Sequence, residues 1–287
     1  MRSGTTTLHE TLGSHPAIFM SRVKEPAYFA DPIELATDSR IAAAAGYARN
    51  RSAYADLFAD AGDARYVGES STHYTKQPRI TGIARRMASE TPDAKVVYLI
   101  RDPVERTLSH YRYSVRAKYE RRTAIEALSG EPIYCAVSDY AMQITPFLDA
   151  FGPAAVHIVV LEELSADPST ELARIFAFLG LGDAVGSVES LQQRNQVTGE
   201  VVRARGPEVL HAVGRSRSYQ RLARTLLPAG LRRRVRRSLN EPVSLGEDRT
   251  DDVLSFLRET HEPHADATER LLGRTMTRWT TLRPGGT

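Results

Sequence analysis

The sequence predicts an α/β fold, a parallel β-sheet flanked by helices and continued by a helical C-terminal extension. Three observations carry this. Val96-Val97-Tyr98-Leu99-Ile100 and Val156-His157-Ile158-Val159-Val160-Leu161 are near-continuous apolar runs, the pattern of strands covered on both faces. Helical patterns lie between the strand candidates, as parallel strands with crossover connections require. Beyond about residue 183, Gly, Pro and Arg punctuate a run of helical pieces in which no strand stands out.

In chain order, 5–14 reads as a helix and Ala17-Ile18-Phe19-Met20 as a short buried strand. A helix over 51–59 precedes a second strand, Arg65-Tyr66-Val67-Gly68-Glu69. Helices over 79–90, 103–119, 138–151 and 168–179 alternate with the strands at 96–100 and 156–161. These elements make 1–182 an α/β core and 183–287 a helical extension, together a single domain over 1–287. Ligands of such sheets bind beyond the carboxyl ends of the strands.

The 287 residues suffice for one large α/β domain, and 41% hydrophobic with 25% charged residues is ordinary globular usage. The net charge of +3 fits an anionic ligand without demanding nucleic acid. Cys135 is alone, which excludes a disulfide framework within the chain. No apolar run approaches the roughly 20 residues of a membrane span. No signal-peptide pattern opens the sequence, so a cytoplasmic protein is expected.

Arg2-Ser3-Gly4-Thr5-Thr6-Thr7-Leu8 has the make-up of a phosphate cradle. A glycine and a run of hydroxyls ahead of a helix offer backbone N–H groups and the positive end of the helix dipole to an anion. Arg2 adds a cation with a fork suited to phosphate oxygens. The Walker form of such a P-loop-like turn needs Gly-Lys-Ser/Thr, and Thr5 stands where the lysine would be. Taken alone, the cluster also reads as a plain helix cap.

A second candidate follows the strand at 96–100. In Arg101-Asp102-Pro103-Val104-Glu105-Arg106-Thr107-Leu108-Ser109, Asp102 suits a helix N-cap, Pro103 its first position, and Glu105 completes a capping box. Arg101 then stands at the carboxyl end of the strand and Ser109 about two turns into the helix. Arg101 by itself reads equally as a surface salt-bridge residue.

In this order, the two segments resemble the signature loops of sulfotransferases that use 3′-phosphoadenosine 5′-phosphosulfate (PAPS). Lys24-Glu25-Pro26-Ala27-Tyr28-Phe29 is similar to the Lys-Glu-x-x-x-Phe segment of the glycan-type and related bacterial members. Gly68-Glu69-Ser70-Ser71-Thr72-His73-Tyr74 resembles their Gly-Glu-x-Ser/Thr-x-x-Tyr segment. Leu161-Glu162-Glu163-Leu164, Asp167-Pro168, Phe178-Leu179-Gly180-Leu181 and the ending around Trp279 agree, with weakest support over 183–250. The resemblance implies that Arg2, Ser3, Gly4, Thr5, Thr6 and Thr7 hold the 5′-phosphosulfate, and that Arg101 and Ser109 hold the 3′-phosphate. The first-loop cation is often lysine in the family; Arg2 keeps the charge but changes its geometry.

Sulfuryl transfer asks chiefly for positioning and charge stabilisation. The resemblance implies PAPS as donor, 3′-phosphoadenosine 5′-phosphate (PAP) as product, no metal, and a base for the acceptor hydroxyl or amine. Glu25 is the first candidate, with Lys24 neutralising charge or tuning it; His73 is second, and Glu69 a third that reads more readily as a partner of neighbouring backbone or Lys/Arg. A surface Lys-Glu pair and a structural histidine remain the plain alternatives. The acceptor is expected to be a carbohydrate, glycolipid or small natural product. The Ala- and Arg-rich composition is that expected from a high-GC bacterial genome, which would favour specialised metabolites or envelope glycolipids. Tyr111, Tyr113 and Tyr119 read as core and rim packing, and the arginines of 215–237 as a solvated face. Asn195 and Arg203–Arg205 fall where relatives close over the nucleotide. A P-loop kinase or NTPase is the rival enzyme, and a non-catalytic anion- or nucleic-acid-binding module the rival class. Relatives lead into the first loop with a buried strand, so about ten residues ahead of Met1 are expected to form one.

Overall fold

The computed structural model describes residues 4–36, 46–182 and 248–285, together with the backbone of 201–204 and 240–243. Arg2, Ser3, Asn195, Arg205 and the arginines of 215–237 lie outside the described residues.

The chain alternates as expected. Helix α1 (Thr5–Gly13) leads to β1 (Ile18–Met20), then α2 (Pro32–Ala36) and α3 (Arg51–Asp56) to β2 (Tyr66–Gly68). Helix α4 (Ile83–Glu90) precedes β3 (Val96–Ile100), which feeds α5 (Pro103–Arg116). Next come α6 (Ala124–Gly130), α7 (Ile133–Ala136), α8 (Tyr140–Phe151) and β4 (Val156–Val160). Helices α9 (Leu161–Ala166) and α10 (Pro168–Phe178) follow directly. After β5 (Val201–Ala204) and β6 (Asn240–Val243), α11 (Asp251–Leu272) closes the described chain.

All four strands of the core are in parallel pairs: Ile18 lies opposite Tyr66, and Val96 opposite Val156. The sheet differs from the expected continuous one, because β1–β2 and β3–β4 are separate pairs. A cavity of about 800 Å³ separates them. It touches every residue of Tyr66–Gly68 and of Lys95–Leu99. Successive side chains of a strand point to opposite faces, so a cavity touching all of them runs along the strand edges. Val67, in mid-strand, is consequently 53% exposed.

Two helical layers bury the remaining faces. Leu8 and Leu12 of α1 pack with Ile18, Leu99, Val159 and Ile175. On the other side Val104, Leu108 and Tyr111 of α5 join Tyr140, Ile144, Leu257 and Trp279. Tyr111 is core, whereas Tyr113 and Tyr119 are exposed at the rim, as their spacing predicts. Helix α11 packs against α5 and α8. The region beyond 183 is corrected in one respect. β5 and β6 form an antiparallel pair, with Val202 opposite Pro242. A two-stranded ribbon leaves each strand an open edge, so Pro242 can sit where no ladder donor is needed. The expected helix boundaries also move inward. Gly82 adopts φ +66, and α4 starts only at Ile83; Lys118, at φ +62, lies just past the end of α5.

Candidate active site

The first loop is built by Gly4. Its φ of +83 is open to glycine, and a Cβ there would stand 2.7 Å from Leu161 Cδ1 and 3.9 Å from Leu99 Cδ2. Gly4 therefore lies over the carboxyl ends of β3 and β4. No side chain caps α1 at this end. The first-turn N–H groups have no acceptor within the helix itself. Thr5, Thr6 and Thr7 are half-buried there.

Lys24 supplies the ammonium that the loop's own sequence lacks at position 5. Its Nζ donates to Thr6 Oγ1 at 2.5 Å and reaches Thr5 Oγ1 at 3.4 Å. Burial lowers its pKa, partly opposed by Glu25 and Glu10. His9 locks the same corner. Its Nε2 lies 3.1 Å from the Ser21 carbonyl and its Nδ1 2.9 Å from Ser70 Oγ. A carbonyl only accepts, so Nε2 carries the proton and Nδ1 accepts from Ser70. Burial lowers the pKa of His9 and favours this neutral form.

Glu25 and His73 meet, although 48 residues of sequence numbering separate them. Glu25 Oε2 accepts from Thr72 N at 2.7 Å and from Thr72 Oγ1 at 2.9 Å. His73 Nδ1 stands 3.2 Å from the same oxygen. That is an ion-pair distance without an aligned hydrogen bond, for His73 Nδ1 has no partner of hydrogen-bonding geometry. Burial pushes the Glu25 pKa up, but the His73 and Thr72 contacts prevail and hold it at about 2. Burial lowers the pKa of His73, against the pull of Glu25. At neutral pH the pair is thus a carboxylate beside a neutral imidazole. Glu69, the third candidate, has both oxygens engaged by hydroxyls, Tyr74 Oη at 2.5 Å and Ser71 Oγ at 2.8 Å.

The second loop is positioned by Asp102. Its Oδ1 accepts from Val104 N and Glu105 N, capping α5, while its Oδ2 accepts from Thr281 N and Leu282 N. One carboxylate thus ties the start of α5 to the C-terminal segment. The expected capping box is corrected. Asp102 N donates to Glu162 at 3.0 Å, and Glu105 turns instead to Arg249 at 2.7 Å and Thr281 Oγ1 at 2.9 Å. Arg101 is half-buried, with Nη2 3.5 Å from Glu105. Tyr140 brackets its backbone, accepting from Arg101 N at 3.2 Å and donating to Arg101 O at 2.7 Å. Ser109 lies half-buried on α5, beside which the backbone of β5, including Arg203, runs.

The structure therefore gathers Gly4, Thr5, Thr6, Lys24, Glu25 and His73 in one corner. Arg101 starts from the neighbouring strand end, two residues after Leu99, which abuts Gly4. Sequence reasoning does not single out His9 or Tyr140, and it carries Thr72 only as a member of the Gly-Glu segment beside His73. Among the described residues no group of three or more His, Cys, Asp and Glu is placed to hold a metal. Among them, too, no helix is long and apolar enough to cross a membrane.

Comparison with known proteins bears on the fold and the family. The crystal structure of a sulfotransferase from Alicyclobacillus acidocaldarius superposes with a TM-score of 0.68 at 24% identity, over 97% of this chain and 94% of that one. This shows the fold. The membrane-associated sulfotransferase kil1 of Dictyostelium discoideum is 32% identical over 120 residues, which are 40% of this chain and 22% of that protein. The chain thus aligns with about a fifth of that relative. A sequence model of the sulfotransferase family matches residues 1–184, the part that holds both loops and the Glu25–His73 corner. The chain belongs to the sulfotransferase family.

Proposed function

We propose that this protein transfers the sulfuryl group of PAPS to a hydroxyl or amine of a carbohydrate, glycolipid or small natural product. The observation that carries the reading is the corner where Lys24 Nζ meets Thr6 Oγ1 and the uncapped N-terminus of α1. A half-buried ammonium, two hydroxyls and the N–H groups that open a helix suit a dense anionic group. Gly4 fits it as well, since a Cβ there would press on Leu161. When bound, PAPS would supply the activated sulfuryl group and PAP as the leaving anion.

The chain's own residues divide the remaining tasks. Gly4, Thr5, Thr6, Thr7 and Lys24, joined by Arg2 and Ser3, hold the 5′ end and stabilise the charge that grows there. Arg101 and Ser109 hold the 3′-phosphate, Arg101 through the planar fork that suits phosphate oxygens. The acceptor's proton passes to the Glu25–His73 pair. A carboxylate that already receives two Thr72 hydrogen bonds is a weak proton acceptor by itself, but it stabilises an imidazolium that forms beside it. The pair then acts as one unit. Calorimetry tests the donor site: PAP should bind at micromolar concentration, and Arg101→Ala should weaken it at least tenfold. No heat with PAP up to millimolar concentration would sink the reading.

The strand expected ahead of Gly4 belongs to the same proposal. It is supported by the cavity, because β2 and β3 present edges to it over their length and Gly4 stands at the matching end. Fusing an eight-residue, Val- and Ile-rich strand to Met1 should slow amide exchange at 66–68 and 96–99 by at least tenfold. Unchanged exchange at both strands excludes this placement.

A further inference from the structure

Glu25 and Ala27 have φ of +63 and +52, which side-chain-bearing residues rarely adopt. Such a turn persists only where its surroundings hold it. Glu25 N donates to Ser70 O at 2.9 Å. The next two donors on this side of the segment meet side chains. Ala27 N donates to Ser71 Oγ at 2.9 Å, and Phe29 N, more weakly, to Tyr74 Oη at 3.5 Å. Each of these hydroxyls spends its own proton on Glu69: Ser71 on Oε2 and Tyr74 on Oε1. A hydroxyl has one proton to give. Directed at Glu69, it must turn a lone pair towards the backbone N–H.

We propose that Glu69 is a positioning residue whose carboxylate, through Ser71 and Tyr74, clamps the strained Glu25–Phe29 turn and so aims Glu25 at His73 and the acceptor. This rests on the reading of Glu25 as part of the proton-accepting pair. The clamp needs the ionised form. A protonated Glu69 must donate to one of the two hydroxyls, which then turns its own proton back towards Ala27 N or Phe29 N. One arm opens. The groups facing Glu69 are Tyr74 and Ser71 from its own loop, Glu25 from the clamped segment, and Tyr54 of α3. Burial, reinforced by the Glu25 charge, raises its pKa to about 7 against the two hydroxyl bonds. A group with a raised pKa of this kind is protonated as pH falls through about 7, so the turn is held above that pH and released below it.

Amide exchange with mass or NMR readout tests the clamp without any sulfuryl transfer. Ser71→Ala should speed exchange at Ala27 at least tenfold and leave Phe29 little changed; Tyr74→Phe should do the reverse, with a smaller effect. In the unaltered protein, protection at Ala27, corrected for intrinsic rate, should fall as pH drops from 8 to 6. Glu69→Gln, which has only one accepting oxygen, should abolish that pH dependence and flatten the acid limb of kcat while sparing PAP affinity. Unaltered Ala27 and Phe29 exchange in the two single-arm variants overturns the clamp, whatever the activity. A working clamp in a protein that binds no PAP overturns the donor reading alone.

Discussion

Glu25→Gln is expected to lower kcat by about 10²- to 10⁴-fold, the usual range for losing a positioned acid–base group. PAP affinity should change by less than about threefold, because Glu25 contacts Thr72 and His73 and not the loop hydroxyls. The neutral amide keeps one accepting oxygen for Thr72 but has no charge to stabilise a protonated His73. His73→Ala should fall by a similar factor. The double variant should then be no worse than either single one, since residues that act as a unit are non-additive. Multiplied losses in the double variant would show two independent bases. Full activity of Glu25→Gln would remove the pair from the chemistry. Folding stability follows the same carboxylate. Held at about 2, against a reference of 4.5, Glu25 stabilises the fold above pH 4.5. That contribution fades as pH falls through about 2.

Lys24→Met should cost about 10²- to 10³-fold in kcat, the range seen when one donor to a developing charge is removed. Methionine keeps the length and apolar stem of lysine, so the half-buried space stays filled while the ammonium is lost. Product PAP carries no sulfuryl group, so its Kd should rise only a few-fold. Lys24→Arg should rescue incompletely. The planar fork cannot place a single donor between Thr5 and Thr6 as Nζ does. Single-turnover rates with saturating PAPS measure the chemical step. A Lys24→Met rate within threefold of the unaltered protein contradicts the role.

Much of the site was legible because its residues sit where local rules act. Asp102-Pro103 after an apolar strand and Asp167-Pro168 before α10 each satisfy the backbone groups of their own helix start, and Gly4 before a Thr run supplies the left-handed turn that opens α1. Such patterns need only a few neighbouring residues, so they are readable in one dimension. Glu105 shows the limit. Its spacing from Asp102 is that of a capping box, yet Arg249 and Thr281, more than 140 positions away, compete for its carboxylate and win. The partner it leaves, Asp102 N, is taken by Glu162.

The sequence by itself determined the four core strands, the helices α1, α3, α4, α5, α8 and α10 beside them, the glycine at the first loop, and the family whose motifs lie along 1–184. Apolar period, N-cap chemistry and conformational freedom are properties of short stretches, and they survive without the fold. Only the tertiary structure decided that Lys24 reaches Thr6 of the first loop, that Glu25 faces His73, and that Ser71 and Tyr74 link Glu69 to the backbone of the Glu25–Phe29 turn. It alone decided, too, that β2 and β3 face each other across an open edge instead of pairing. Each of these joins residues brought together by strand order, and side-chain hydrogen bonds over such distances leave no periodic trace in the chain.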